Sequence, residues 1–402
     1  MREFKNKEIQ VLLKLVSKAL FNSTANIDLN GVDLLSLYKE SRLQTVVGLA
    51  FDALPSEVAD IDANLYAEWR LFTIHIMQQN LRLEIADAAL HKLLQENKVP
   101  HCTIKGTASA AYYPNPTLRQ MGDIDLLVNK NHFRKTKQLM LNDGFIDGNH
   151  DTPFHSALKK NGIIYELHHS QLPLNLSRRL FPRLTEHLIS SSVEHKSDIG
   201  TLLVPDKYHH GLSMLLHIYR HLEVGEGVGL RHLCDWAVFV NSIDEAEFVN
   251  IFEARLKKCG LWKFCRVLSY TAHIYIDMPK KSWFGEMDAS LAENLMQEII
   301  FAGNFGRKSG DKKANPIFLE EDNKNRKGIA KKLYILKRRV WRWNRFYKKH
   351  RWLYPIGLVC YSVRVLFQMV FHGKKLDRTE SDDNARRTNN LFSNMNFFNP
   401  EK

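Results

Sequence analysis

Cysteine is scarce in this sequence, and the few that occur do not form metal-binding pairs. The five cysteines are odd in number and include no Cys-x-x-Cys spacing. This usage argues against a disulfide framework or a zinc knuckle, and it favours free thiols in a reducing cytoplasm. The five are Cys102, Cys234, Cys259, Cys265 and Cys360.

Three other signals are missing. The chain has no Gly-x-x-x-x-Gly-Lys-Ser/Thr loop, and Lys14 and Lys18 interrupt the apolar positions near its start, which argues against a signal peptide. The best candidate for a membrane span, residues 352–371, contains Pro355 and Arg364. A charge at mid-span costs roughly 2.5–3.5 kcal/mol on insertion scales, so spanning is not expected. We therefore expect a cytoplasmic protein.

Positive charge is abundant but confined to one region. The net charge of the 402-residue chain is +13, yet residues 326–378 alone carry sixteen Lys and Arg against one Asp. Residues 1–325 and 379–402 are therefore each close to neutral. The basic character belongs to the tail and does not describe the rest of the protein.

The basic tail also carries aromatic side chains among its cations. Such a segment is suited to bind an anionic membrane surface or a nucleic-acid backbone. Alternatively, its aromatic side chains pack back on the rest of the protein. Composition does not separate these three alternatives. The aromatics are Trp341, Trp343, Phe346, Tyr347, Trp352 and Tyr354; the cations are Arg338, Arg339, Arg342, Arg345, Lys348 and Lys349.

The most informative stretch is GDIDLLV at residues 122–128, which is typical of a β-strand buried on one side. Side chains alternate along a strand, so Asp123 and Asp125 share one face. Two carboxylates this close repel each other unless a cation lies between them. A hard divalent cation with oxygen ligands is the simplest such partner.

Two neighbouring segments add to this pair. Residues 99–107 indicate a short strand that runs into a turn at Gly106-Thr107 and then a helix, a junction that offers backbone N–H groups to a phosphate. Thr107 is expected either to cap that helix or to donate its hydroxyl to phosphate. Residues 163–168 indicate a second strand with Glu166 and His168 on one face, and if this strand lies beside the first, Glu166 is a third converging acid.

In their order and spacing these motifs resemble the uncharacterised bacterial nucleotidyltransferase family of the DNA polymerase β superfamily. The resemblance covers roughly residues 35 to 300. It is carried by Ile104-Lys105-Gly106, Tyr113-Pro114-x-Pro116-x-x-Arg119, the strand at 122–128, Gly144-Phe145, Glu166-Leu167-His168, His217, His221 and Gly229-Leu230-Arg231-His232-x-x-Asp235.

The resemblance implies a mixed α+β fold, with a small nucleotidyltransferase mixed β-sheet and flanking helices between N-terminal and C-terminal helical regions. It also implies Mg²⁺ or Mn²⁺ and transfer of a nucleoside monophosphate from an NTP, with ATP as the expected nucleotide. By position, Asp123, Asp125 and Glu166 would be the catalytic acids and metal ligands. Gly106 and Thr107 would hold the NTP phosphates, although the superfamily has Gly-Gly or Gly-Ser there.

Residues that flank these motifs are candidates for substrate contact. Lys105 and Arg119 flank the acids in sequence and are expected at the triphosphate. His217 and His221 have the spacing of zinc ligands on a helix, but the Glu of His-Glu-x-x-His is missing, which disfavours zinc. We therefore expect them, together with Arg231, on the helical side of the cleft, where they would meet the substrate. His168 is expected in the cleft, either as a hydrogen-bonded supporting histidine or in a direct role.

The pattern along the chain predicts six segments. They are an N-terminal helical region at 1–98, an α/β core at 99–204, a helical domain at 205–302, a polar linker at 303–325, the basic aromatic tail at 326–378 and a disordered C-terminus at 379–402. Within the first, we expect long helices at Gly31–Leu54 and Ala63–Asn97.

Two functions follow from these patterns. The first is a metal-dependent nucleotidyltransferase that modifies a hydroxyl group on a small molecule, a protein or an RNA. The second is an inactive module of the same fold that docks through its basic tail to a membrane surface, where it would be peripheral, or to nucleic acid. Retention of all three acids favours the first.

Overall fold

A computed structural model describes most of the chain. The described residues are 6–55, 61–151, 155–170, 181, 183–224, 227–304, 350–371, 391 and 393–401, with single residues 333, 336, 337, 340, 344 and 347. All but the first two residues of the linker predicted at 303–325, and most of the tail before residue 350, therefore lie outside the described residues.

Four helices form the N-terminal region: α1 (Lys7–Phe21), α2 (Leu34–Leu43), α3 (Val47–Asp52) and α4 (Ala63–Glu96). Asp62 caps α4 by accepting from the N–H groups of its first turn, and the helix ends one residue before the predicted Asn97.

The single helix predicted over Gly31–Leu54 is wrong. Thr45 adopts a φ of +55°, which interrupts the helix between α2 and α3. The buried amide of Gln44 donates to the carbonyls of Ile299 and Ile300 and accepts from the N–H of Leu230. These contacts with a distant part of the chain hold the break in place.

A five-stranded mixed sheet follows. Its strands are β1 (His101–Ile104), β2 (Asp123–Val128), β3 (Ile146–Asp151), β4 (His155–Lys160) and β5 (Ile163–His168). They lie in the order β1-β2-β5-β4-β3, and β2 and β5 are parallel whereas the other neighbours are antiparallel. The central parallel pair brings the two predicted acidic strands side by side.

Short elements connect and cover the sheet. The helix α5 (Gly106–Ala110) follows β1, α6 (Lys130–Asn142) follows β2, and α7 (Leu184–Ser190) leads into a hairpin of β6 (Val193–Lys196) and β7 (Thr201–Val204). Five helices come next: α8 (Lys207–Val224), α9 (Leu230–Asn241), α10 (Glu245–Cys259), α11 (Trp262–Ile276) and α12 (Ala289–Ala302). A further helix, α13, spans Tyr354–Phe371.

The N-terminal and C-terminal helices share one apolar core. Leu12, Leu37 and Trp69 from the first region are fully buried in the same cluster as Trp236 and Phe264 from the second. A separate core lies between α4 and the sheet, and it includes Leu83, Leu90, Ile124 and Leu167. The mixed α+β fold with helices at both ends is thus confirmed, and the sheet is fixed against a body made from both helical regions.

The C-terminal residues do not fit the disorder predicted for 379–402. Met395 is buried, and Phe397 and Phe398 pack edge-on against Tyr219. The backbone of Phe398 donates to Gly260, and Glu401 accepts from the N–H of Lys263. The described end of the chain is therefore part of the helical core, because its aromatic side chains bury apolar surface there.

Across the described residues, no helix combines the length and the apolar character needed to cross a membrane.

Candidate active site

Three carboxylates converge where β2 and β5 lie side by side. Asp125 and Glu166 are direct partners in the parallel register, and Asp123 lies two residues before Asp125 on the same face. On the other face, Ile124 and Leu126 are buried in the core against α4. The alternation of apolar and acidic residues thus fixes the strand against the core and turns all three acids to one cavity.

Asp125 is the centre of this acidic group. Lys105 Nζ and His168 Nε2 each lie 2.9 Å from Asp125 Oδ1. Burial alone would raise the pKa of Asp125, but the Lys105 ammonium and the His168 imidazole hold it well below its usual range. Asp125 is therefore ionised at neutral pH.

His168 joins two of the acids. Its Nε2 is also 3.2 Å from Glu166 Oε2, so one ring nitrogen faces both carboxylates. Burial opposes protonation of the ring, yet the contacts with Asp125 and Glu166 raise the pKa of His168 above its ordinary value. The same contact lowers the pKa of Glu166. His168 therefore lies in the cavity wall with one ring nitrogen toward both acids, and whether its role is supporting or direct stays a prediction.

Asp123 differs from its neighbours. In the part of the chain that the structure describes, no hydrogen bond to its carboxylate is found. Burial, and then the nearby charge of Asp125, raise the pKa of Asp123 to about 6. A carboxylate in this setting gains most from a cation placed next to it.

The turn before α5 approaches the acids from β1. Lys105 has a φ of +62°, a strained value for a residue with a side chain, and Gly106 follows with a φ of +36°. Both residues line the cavity. The turn therefore brings an ammonium and a glycine backbone next to the carboxylates.

The hydroxyl of Thr107 was expected to cap α5 or to face a phosphate, and this expectation is wrong. Thr107 Oγ1 donates to Asp87 Oδ2 at 2.5 Å, and Thr107 is not among the residues that line the cavity. Asp87 lies on α4 beneath the turn and also accepts from Thr103 Oγ1 at 2.9 Å. Burial raises the pKa of Asp87 to about 6. Asp87 thus fastens the turn to α4 from below.

Arg119 lies in the loop before β2, lines the cavity and is almost fully buried. Its Nε and Nη2 donate to the two oxygens of Asp235 at 2.7 and 2.8 Å, and Asn80 holds its backbone carbonyl at 2.8 Å. The remaining nitrogen, Nη1, is buried without a hydrogen-bond partner in a residue that lines the cavity. The N–H groups on Nη1 of this fixed guanidinium are left for a ligand.

The helices α8 and α9 supply the facing wall. His217, His221 and Arg231 line it together with His232, and the ring nitrogens of the three histidines lie within 4.8 Å of one another. Burial, the largest cause in each case, lowers the pKa of His217 and His232 well below the ordinary value and that of His221 to about 3. These rings are therefore neutral at pH 7.

The histidine cluster fits a metal poorly because of one hydrogen bond. The Nδ1 of His232 accepts from the N–H of Gly229 at 3.2 Å. A neutral imidazole that accepts at Nδ1 keeps its proton on Nε2 and offers no lone pair there. Burial and the neighbouring Arg119 lower the pKa of Arg231, which adds a second guanidinium to this wall. The wall is thus suited to polar and anionic groups of a substrate.

One cavity of about 630 Å³ connects these parts. Its size is within the range of small-molecule sites. Ten of the eleven residues that the sequence marked as site candidates line it, and Thr107 is the exception. Their chemical roles stay predictions.

The acidic side of the cavity fits a hard divalent cation. Asp123, Asp125 and Glu166 offer carboxylate oxygens, which are the ligands that Mg²⁺ and Mn²⁺ take. Burial and then the charge of Asp125 raise the pKa of Asp123, and a cation bound next to it would oppose both effects.

Sequence reasoning gave no role to Asp87, Tyr113 or Asp235. Asp87 falls at the spacing of Leu83, Leu90 and Leu94, and an acid on an apolar helix face is a signal that could have marked it. Tyr113 and Asp235 lie inside the quoted motifs, but nothing local indicates that the Tyr113 hydroxyl donates to Asp235 at 2.6 Å.

Comparison with models of known protein families places most of the chain in a family. A family described as "Uncharacterised nucleotidyltransferase" matches residues 30–277. The matched stretch runs from just before α2 to the end of α11 and contains every residue of the acidic group. No curated protein matches the chain.

Proposed function

The chain belongs to this family of uncharacterised nucleotidyltransferases, and from that premise we propose that it uses a divalent cation to transfer a nucleoside monophosphate from an NTP to a hydroxyl group, releasing pyrophosphate. The observation that carries the metal dependence is the register of Asp125 with Glu166, with Asp123 on the same face of β2. Carboxylates that converge from two adjacent parallel strands are a donor set that suits metal-assisted phosphoryl chemistry.

Asp123, Asp125 and Glu166 would hold Mg²⁺ or Mn²⁺. When bound, the metal supplies charge neutralisation of the triphosphate and stabilisation of the charge that develops at the α-phosphate. Lys105 and His168 keep Asp125 ionised, so the site is ready for a cation at neutral pH.

The phosphates would lie between the glycine turn and Arg119. Gly106 allows the backbone to approach them closely, and the Nη1 of Arg119 is a donor aimed from a rigid, doubly hydrogen-bonded guanidinium. Lys105 adds positive charge next to the acids. The expected nucleotide is ATP.

The acceptor would enter beside the neutral histidines of α8 and α9. Glu166 is the group that we assign to remove its proton. Its Oε2 faces His168 Nε2 at 3.2 Å, whereas its Oε1 is 3.9 Å from His155 Nε2 and is the freer oxygen. Small molecules, protein side chains and RNA ends all carry a suitable hydroxyl.

Calorimetric titration with Mg²⁺ and a non-hydrolysable ATP analogue tests the metal site. Asp123→Asn and Asp125→Asn should abolish metal-dependent nucleotide binding, and Glu166→Gln should lose turnover. Asp52→Asn is the matched control, because Asp52 is exposed at the end of α3 and outside the cavity. Unchanged affinity in both aspartate variants would reject the proposal.

The acceptor can be sought directly. The purified protein is incubated with Mg²⁺, each NTP in turn and a metabolite extract, and the products are analysed by mass spectrometry. A product heavier by one nucleoside monophosphate, absent with Asp123→Asn, identifies both the nucleotide and the acceptor. Protein and RNA acceptors require the same incubation with those fractions.

A further inference from the structure

The helix α13 presents an apolar face to solvent. Trp352, in the short turn before the helix, and Ile356, Val359 and Val363 within it follow each other at spacings of four, three and four residues. This spacing puts them on one side of a helix. Their exposed fractions are 77, 56, 62 and 61%, so this face is uncovered.

The charge around this face indicates what covers it. Residues 326–378, which include α13, carry sixteen Lys and Arg against one acid, and Arg364 is exposed on α13 itself. An apolar helix face within a strongly basic segment is complementary to a surface that is both anionic and able to receive apolar side chains. The boundary between headgroups and acyl chains of an anionic membrane has both properties.

We propose that Trp352, Ile356, Val359 and Val363 dock on an anionic lipid surface, whose headgroups are complementary to the positive charge that residues 326–378 carry. Trp352 suits the interface because its ring is apolar and its N–H is polar. This proposal does not depend on the chemistry at the acidic cavity.

Other partners fit the same face less well. Nucleic-acid phosphates would satisfy the charges but would leave Ile356, Val359 and Val363 in water. A second copy would cover these residues, but it would bring two basic segments of this composition together, and like charges repel. The outer face of α4 also exposes Leu71, but no comparable excess of one charge accompanies it.

Sedimentation of the full-length protein with lipid vesicles tests the proposal. Vesicles of phosphatidylcholine alone are compared with vesicles that also contain phosphatidylglycerol. We expect the protein to sediment with the anionic vesicles only. Ile356→Glu with Val359→Glu should weaken this binding by roughly tenfold or more, because the variant removes apolar contact and adds like charge.

The matched control is Ile146→Glu with Val193→Glu. Both residues are exposed apolar side chains on strands, at 69 and 48%, and the net charge changes by the same amount. This control should bind anionic vesicles as the unchanged protein does. Thermal melting of both double variants checks that they are folded.

Three results would overturn the proposal. The first is an unchanged protein that stays in solution with anionic vesicles, and the second is an equal loss of binding in the two double variants. The third is evidence that another partner covers the face. Such evidence would be binding of RNA in a gel-shift experiment without vesicle binding, or a dimer that only Ile356→Glu with Val359→Glu converts to a monomer.

Discussion

Asp235 holds the guanidinium of Arg119 through two hydrogen bonds, although the two residues are 116 positions apart. The pair links the loop before β2 to the helix α9, so the acidic strand and the facing wall are positioned by one contact. Burial disfavours the charge on Asp235, but Arg119 outweighs it and lowers the pKa of Asp235 to about 2. Both groups are therefore charged at neutral pH, and each depends on the other.

Asp235→Asn should destabilise the protein more than the loss of one hydrogen bond would. Arg119 would stay buried with its charge uncompensated, and such a change costs about 3 kcal/mol in the free energy of unfolding. Tyr113→Phe removes only the hydroxyl that donates to Asp235 and should cost about 1 kcal/mol. Urea unfolding of both variants measures the two values.

A double variant separates the cost of leaving the buried charge of Arg119 uncompensated from the cost of losing its hydrogen bonds to Asp235. Asp235→Asn combined with Arg119→Met removes the buried charge and should regain much of the stability that Asp235→Asn loses. If Asp235→Asn unfolds at the same urea concentration as the unchanged protein, the pair is not the link described above.

Gly106→Val should weaken nucleotide binding by roughly tenfold or more, because the side chain would crowd the turn that faces the acids. The φ of Gly106 is positive, so the variant also carries backbone strain of about 1–2 kcal/mol. Gly144→Val is the control: its φ is +87°, a Cβ there meets nothing within 4 Å, and it lies outside the cavity.

Calorimetric titration with the ATP analogue distinguishes the two variants. Both should melt at a lower temperature, but only Gly106→Val should lose nucleotide affinity. Equal affinity in the two would show that the turn does not contact the nucleotide.

The acidic strands could be predicted from sequence because their signal is local. A strand alternates every second residue, so the alternation in residues 122–128 and 163–168 already fixes which side chains share a face. The convergence of Asp125 and Glu166 then needs that the two strands be neighbours and pair in the observed register.

The rest of the site depends on contacts between distant residues. The break at Thr45 requires Gln44 to reach Ile299 and Leu230, and no local pattern in residues 31–54 encodes that. The partner of Arg119 comes from α9 in the same way. Thr107 suited a helix cap by its residue type, but the buried acid on α4 binds its hydroxyl instead.

Asp87 should make the stability of the protein depend on pH. Burial raises its pKa from 3.8 to about 6, so between these values the folded state binds more protons than the unfolded state. The free energy of unfolding therefore falls as pH rises through about 6. The side chain at position 87 cannot titrate in Asp87→Asn. The free energy of unfolding of this variant, relative to that of the unchanged protein, should therefore increase by about 1 kcal/mol from pH 5 to pH 7.

Asp33→Asn is the control for this comparison. Hydrogen bonds from Ser36 lower the pKa of Asp33 below 3.8, so its carboxylate is ionised throughout pH 5 to 7. The stability difference for Asp33→Asn should therefore be constant over that range. Urea unfolding at both pH values measures each difference, and a constant difference for Asp87→Asn would contradict the raised pKa.

The packing of residues 393–401 makes the C-terminus necessary for stability. Phe397 packs against Phe264 and Tyr219, so deletion of residues 391–402 should expose part of the helical core and lower the melting temperature.

Gly260→Ala tests the same packing from the other side. Gly260 ends α10 with a φ of +67°, and a Cβ there would overlap the backbone of Asn399. In the full chain, strain and overlap act together, and we expect a loss of about 3 kcal/mol or more. In the chain that lacks residues 391–402 only the strain of about 1 kcal/mol remains, so the two changes should be clearly less than additive. Additive losses in urea unfolding would show that the C-terminal segment does not pack on Gly260.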